Sequence, residues 1–251
     1  MINKFHKSQW FNFKENTGHE KKIRLFCFPY AGGGSSLYKK WESSEVEIVS
    51  VQLPGRENRF KECAFSDLET LLECLIEEIS PFLDKSFAFF GHSMGALVSF
   101  ELARKLRKNK MMLPSYLFLS AFSAPSIYKG KGIHNLDDEA LINEIINLNG
   151  TPKEIAANTD LMRLFLPLLR SDFSIIDNYK YVSEPKLSVP MMIFGGLEDS
   201  IPRSDLIQWQ VETNESFNLT FLPGDHFYIH DEKDNIIDII DKELSMKNML
   251  S

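Results

Sequence analysis

This sequence predicts an α/β fold, a mostly parallel central sheet flanked by helices, and three observations predict it. Strand-sized apolar runs alternate with segments whose apolar residues recur at helical spacing, the pattern of a parallel sheet covered on both faces. One strand, Ser86-Phe87-Ala88-Phe89-Phe90, passes through Gly91-His92-Ser93-Met94-Gly95 directly into the helical run Ala96 to Ala103. The alternation then breaks once, between about Ala124 and Pro190, where only helical patterns occur.

The elements follow in order. Residues 1–20 are polar with a few aromatics and predict a loosely packed lead-in. Ile23–Phe28 is a strand stopped by Pro29, and Val46–Val51 is a second stopped by Pro54-Gly55. Ser66-Asp67-Leu68-Glu69 has the form of a capping box. Leu68, Leu71, Leu72, Leu75, Ile76 and Ile79 then follow at helical spacing. After the Ser93 strand and its helix, Tyr116–Ser120, Met191–Phe194 and Phe217–Phe221 are further strands. A last helix runs through Asn235–Ile240. In the strandless stretch, helices are expected over Asp137–Leu148, Thr151–Ala157 and Asp160–Tyr179. Asp137 and Asp160 are candidate N-caps, Thr151-Pro152-Lys153-Glu154 combines a capping box with proline at the first helical position, and Pro167 should kink the third helix.

Length and composition set the bounds. The 251 residues suit one α/β domain with a helical insertion at about 124–189, and less comfortably two small domains. A net charge of −7 argues against nucleic acid as a partner. No apolar run reaches membrane-spanning length, and the first residues lack the apolar core of a signal peptide. Three cysteines, Cys27, Cys63 and Cys74, without C-x-x-C spacing suggest free thiols in a reducing compartment, hence a cytoplasmic protein. Neither H-E-x-x-H nor paired Cys/His spacing is present, so no metal site is expected. The basic run Arg104–Lys110 is expected to be a solvated helix end.

A serine lifted between strand and helix on a G-x-S-x-G turn is the nucleophile elbow of an α/β-hydrolase. Serine needs a base to take its proton and a carboxylate to orient that base, in the chain order Ser, Asp, His for this fold. Asp199 lies in the turn after the Met191 strand, and His226 lies in the loop after the Phe217 strand. Glu198 and Asp225 flank these positions, and His230 lies one turn beyond His226. Asp225 is too near His226 in sequence to reach its Nδ1 easily. His92 should pack or hydrogen-bond locally. The oxyanion requires backbone donors: Met94 N–H at the helix start and, from the glycine-rich loop Pro29-Tyr30-Ala31-Gly32-Gly33-Gly34-Ser35, Ala31 N–H. Phe165 and Phe173 in the insertion are candidates for a substrate channel, with core packing as the alternative.

Five motifs stand in one order: Phe28-Pro29-Tyr30-Ala31-Gly32-Gly33, Gln52-Leu53-Pro54-Gly55-Arg56-Glu57, Gly91-His92-Ser93-Met94-Gly95, Leu166-Pro167-Leu168-Leu169-Arg170-Ser171-Asp172-Phe173, and Gly224-Asp225-His226-Phe227. Together they resemble the type II thioesterases that accompany non-ribosomal peptide and polyketide synthases, and the related medium-chain fatty-acyl thioesterases. Tyr30 stands where the first motif usually has histidine. The resemblance implies an editing hydrolase that clears acyl groups from the phosphopantetheine arm of acyl or peptidyl carrier domains. A helical insertion just before the acid of the triad is where this fold carries its lid, with an ordinary long crossover as the alternative. The resemblance implies Ser93, Asp199 and His226 as the triad, the lid as part of the acyl and pantetheine channel, and no cofactor beyond the pantetheine of the substrate itself. It gives no derivable role to Arg56 and Glu57, for which a loop brace is one reading. An acyl-CoA thioesterase, a general carboxylesterase, a cyclising thioesterase and a retired, ligand-binding hydrolase fold are the alternatives.

Overall fold

The computed structural model describes residues 8–14, 21–148 and 159–250. Its centre is one seven-stranded sheet: β1 (Phe11–Phe13), β2 (Ile23–Phe28), β3 (Val46–Val51), β4 (Phe87–His92), β5 (Leu117–Ser120), β6 (Met191–Gly196) and β7 (Phe217–Leu222). The spatial order is β1-β3-β2-β4-β5-β6-β7. Only β1, on β3, is antiparallel among these pairings. The chain runs outward from β2 to β3, then returns to place β4 on the other side of β2. That reversal is the switch point beside which ligands bind in open parallel sheets.

Among the described residues six α-helices accompany the sheet: α1 (Leu68–Ile79), α2 (Met94–Lys108), α3 (Asp138–Asn147), α4 (Thr159–Asp177), α5 (Arg203–Ile207) and α6 (Lys233–Leu250). Alternate strand residues feed two cores. Phe26, Phe28, Phe87 and Phe89 face Leu71, Leu75 and Leu97 of α1 and α2. Leu25, Cys27, Ala88 and Phe90 face Trp41 and Ile236, Ile240 and Leu244 of α6. Both faces of the central strands are therefore covered, which is why β4, β5 and β6 are buried along their whole length. No described helix is long and apolar enough to cross a membrane.

Several expectations change. The lead-in contains β1, whose buried Phe11 packs edge-on against Phe26 at 5.4 Å between ring centres. Three residues on an edge carry too little alternation to be seen in sequence. The cap of α1 is Asp67, accepting from Thr70 N–H at 2.8 Å, rather than Ser66. Asp137 caps α3 through Ala140 N–H. Asp160 lies inside the first turn of α4 rather than before it, and that helix continues through Pro167 to Asp177. The expected helix Thr151–Ala157 lies outside the described residues. Between β5 and β6 no strand occurs among the described residues, only an isolated bridge from Leu187 to Thr213. The basic run is not simply solvated. Arg104 is buried and pairs with Glu101 and Glu184, and Arg107 and Lys108 also pair with Glu184. These contacts clamp the chain returning from the insertion onto the end of α2.

Candidate active site

The strands end in register at one rim of the sheet. Phe28 pairs with Gly91, His92 with Ser120, Ser120 with Phe194, and Gly196 with Leu222. The loops after β2, β4, β6 and β7 therefore emerge side by side.

Ser93 follows β4 with φ 54° and ψ −117°, a backbone conformation a non-glycine residue rarely adopts. The turn is tight enough to exclude side chains around it. A Cβ on Gly91 would lie 2.1 Å from the Gly95 carbonyl oxygen, and one on Gly95 would lie 2.2 Å from the Phe28 carbonyl oxygen. That second contact sets the start of the Pro29–Ser35 loop against the elbow. Ser93 is the N-cap residue of α2, yet its side chain makes no capping bond. Its Oγ instead lies 3.1 Å from His226 Nε2, and His226 Nδ1 lies 2.9 Å from Asp199 Oδ2. Asp199 is brought there because the loops after β6 and β7 zip together, Leu197 N–H to Leu222 C=O and Glu198 N–H to Gly224 C=O.

Burial pushes the Asp199 carboxyl up, but the hydrogen bond and charge of His226, with Ile201 N–H on Oδ1 at 3.2 Å, outweigh it and hold the group below the ordinary carboxylate range. An ionised acceptor at Nδ1 fixes a proton there, so Nε2 is the nitrogen that can take one from Ser93. The neighbouring candidates are occupied elsewhere. Glu198 accepts from Gly224 N–H, Asp225 from Phe227 N–H at 2.8 Å, and His230 Nε2 meets the Tyr30 hydroxyl at 3.2 Å. His134 bonds Asp177 in the insertion.

His92 is buried, as a locally bonded residue should be. Its Nε2 lies 2.8 Å from the His226 carbonyl, which can only accept. Nδ1 must then accept from the Ser120 hydroxyl at 2.9 Å, which itself meets the Tyr228 hydroxyl at 2.5 Å. Burial and the adjacent His226 ring hold His92 well below the ordinary imidazole value, so it stays neutral. This chain of bonds fixes the backbone that carries His226.

Ala31 N–H and Met94 N–H have no protein acceptor among the described residues, whereas Gly32 and Gly33 N–H are both taken. A cavity of about 350 Å³ opens beside Ser93 and His226. Its apolar wall includes Phe122, Ile127, Tyr128, Ile133, Phe173 and Ile176, mostly from the segment after β5. The two channel candidates separate. Phe173 lines this cavity, whereas Phe165 lines another, of about 600 Å³, with Tyr30, Lys39, Lys40 and His230. No local signal in sequence could distinguish them, since both lie on α4. No described group of three or more His, Cys, Asp or Glu side chains is arranged to hold a metal.

Comparison with known proteins shows the family. The thioesterase-domain family model matches residues 23–244. The gramicidin S biosynthesis protein GrsT of Aneurinibacillus migulanus is 40% identical over 244 residues, covering 95% of each chain. Among solved structures, the RedJ thioesterase of the prodiginine pathway of Streptomyces coelicolor superposes with a TM-score of 0.85 at 33% identity, covering 89% of this chain and 91% of its own. The type II thioesterase BorB of the borrelidin cluster gives 0.84 at 31% identity, covering 94% and 97%. An elbow serine beneath an apolar cavity, on a sheet of this order and in a chain so alike along its length, places the protein in the thioesterase family, with the type II thioesterases.

Proposed function

We propose that this thioesterase hydrolyses acyl groups from the phosphopantetheine arm of acyl or peptidyl carrier domains, clearing stalled carriers during non-ribosomal peptide or polyketide synthesis. The observation that carries this reading is the hydrogen-bonded series Ser93–His226–Asp199 at the foot of an apolar cavity. Relatives that act in gramicidin and borrelidin biosynthesis support the choice of substrate. The three free thiols support a reducing, cytoplasmic setting for this activity.

Ser93 Oγ attacks the thioester carbonyl as its proton passes to His226 Nε2. The Ala31 and Met94 N–H groups hold the oxyanion, Met94 at the positive end of α2. The C–S bond breaks, and the pantetheine thiol leaves with the proton from His226. Water then attacks the acyl-serine, gives its proton to His226, and the C–Oγ bond breaks to release the acid and restore Ser93. A thiol leaves readily, so the proton it receives matters less than in amide cleavage. The insertion between β5 and β6 acts as the lid of a single domain, and its Phe173 face receives the acyl chain.

The test is intact-mass measurement of acyl-loaded carrier proteins incubated with the protein and with Ser93→Ala. Wild type should return the free pantetheine form. The variant should lose about 10⁴–10⁶ in rate while keeping its fold. Hydrolysis of acyl-CoA at the same efficiency as carrier-bound acyl groups would instead favour an acyl-CoA thioesterase.

A further inference from the structure

Arg56 and Glu57 have no part in the steps above, and neither has Asp172. In the structure all three converge on the glycine-rich loop. Arg56 and Asp172 form a bidentate ion pair, Nη1 to Oδ2 and Nη2 to Oδ1 both at 2.8 Å, with side chains 3% and 1% exposed. The same Asp172 Oδ2 accepts from Gly32 N–H at 2.7 Å, and Arg56 Nη1 also donates to the Gly33 carbonyl at 3.1 Å. Glu57 holds the far end of the loop, accepting from Ser36 N–H at 3.0 Å and from the Ser35 hydroxyl at 2.8 Å. Gln52 accepts from Ser35 N–H at 3.0 Å and returns its amide N–H to the Arg56 carbonyl at 3.0 Å. Side chains from two other segments therefore grip the loop at Gly32, Gly33, Ser35 and Ser36.

A buried ion pair contributes little net stability, because desolvation offsets its attraction. It does impose geometry, since two parallel N–H···O bonds fix both partners in plane. What it fixes here is the peptide joining Ala31 to Gly32. Gly32 has φ +79°, and a Cβ there would lie 2.7 Å from Leu169 Cδ2 of α4, so the helix that bonds to the loop also leaves room only for glycine at this point. With the Gly32 N–H drawn to Asp172, the preceding N–H, on Ala31, is the one left without a protein acceptor.

We infer that Arg56 and Asp172 are positioning residues for the oxyanion site: through their ion pair, α4 sets the orientation of the Ala31 N–H. The inference rests on the proposed reading of Ser93 and Ala31. A donor that must reorient as charge develops gives up the advantage of being placed beforehand. The loss should therefore fall on the transition state and spare substrate binding.

The decisive variant is the double substitution Arg56→Met/Asp172→Leu. It removes both charges and leaves Gly32 N–H without its acceptor, while apolar replacement of a whole buried pair is often neutral for folding. Two quantities are measured on wild type and variant: steady-state hydrolysis of an acyl thioester, and inhibition by an acyl trifluoromethyl ketone, whose serine adduct carries an oxyanion. We expect kcat to fall by about 10²-fold with KM nearly unchanged, and the inhibition constant to rise by about the same factor as kcat/KM falls. A merely structural role would lower the unfolding midpoint but leave both quantities alone in the folded protein. A folded double variant with wild-type kcat, or a fall in kcat without parallel loss of inhibitor affinity, overturns the inference. If the double variant does not fold, Arg56→Lys is measured instead. It keeps the charge and loses the second N–H, so a smaller parallel loss is expected, and unchanged kcat in that folded variant overturns the inference equally. Failure of the underlying reading looks different: wild type itself would then show no Ser93-dependent hydrolysis or inhibition.

Discussion

Replacing Asp199 with asparagine should inactivate the protein by reversing a single imidazole. Asp199 Oδ1 accepts from Ile201 N–H at 3.2 Å, and Oδ2 faces His226 Nδ1 at 2.9 Å. Asparagine has one oxygen and one NH₂. The Ile201 N–H needs an acceptor, so the amide oxygen is kept on that side and the NH₂ is turned toward Nδ1. A donor there makes Nδ1 the acceptor and moves the ring proton to Nε2, facing Ser93 Oγ at 3.1 Å. His226 then cannot take the serine proton. A wrong tautomer in such a triad costs about 10⁴ in kcat, or about 5.5 kcal/mol of activation free energy. The side chain is 2% exposed, so water offers little compensation. The assay is steady-state hydrolysis of an acyl thioester by Asp199→Asn, with thermal unfolding as the control for folding. Glu198→Gln and Asp225→Asn are the comparisons. Their carboxylates serve backbone N–H groups, which an amide oxygen can still do, so both should stay within about tenfold of wild type. A folded Asp199→Asn within tenfold of wild type, or a dead Asp225→Asn, would refute the reasoning.

Two further predictions use the same structure. Phe173→Leu should enlarge the cavity beside Ser93 and shift preference to longer acyl chains, by about fourfold in kcat/KM per extra buried methylene, at about 0.8 kcal/mol each. Phe165→Leu should leave the chain-length profile unchanged, because Phe165 lines the other cavity; a series of acyl carriers reads both, and equal shifts for the two variants would count against the division. His92 gives a pH dependence of stability. Its folded pKa lies below the ordinary 6.5, so its contribution is fully present above that value and is lost as pH falls toward the folded value. Between about pH 7 and about pH 5 the unfolding free energy of wild type should therefore fall more steeply than that of His92→Gln, by at most about 1.4 kcal/mol per pH unit, and equal slopes in urea titrations would contradict it.

What could be read from the sequence was whatever a short segment determines for itself. The elbow needs Gly91 and Gly95 because backbone crowds both positions, and that requirement appears as a pentapeptide flanked by a strand and a helix. Asp199 and His226 each stand in the turn after a strand, and parallel register brings those turns to one rim. Asp137 announced its helix by capping it. What could not be read depended on partners far away in sequence. Edge strand β1 is held by Phe26 and by β3, not by its own three residues. Arg104 sits in a run of helix-end cations that sequence patterning assigns to solvent, until Glu184 returns from the insertion to meet it. Phe165 and Phe173 lie eight positions apart on one helix, yet they face different cavities.

Asp172 is the clearest case of the second kind. An acidic residue among the apolar positions of α4 has no local reason to be there. It is 116 positions from Arg56 and 140 from the loop N–H it accepts, so no window of sequence contains its purpose. Burial alone would make it costly, and pairing alone would make it roughly neutral. Its position becomes intelligible only through what the pair holds still, a glycine-rich loop with too little side chain to fix itself. A backbone oxyanion donor needs glycine neighbours so that substrate and loop can approach closely, and those same glycines leave the loop free to turn. The rigidity must then be supplied from outside. Here it comes from α4 and the Gln52–Glu57 segment, which links the helix proposed to cover the acyl chain to the group proposed to stabilise its reaction.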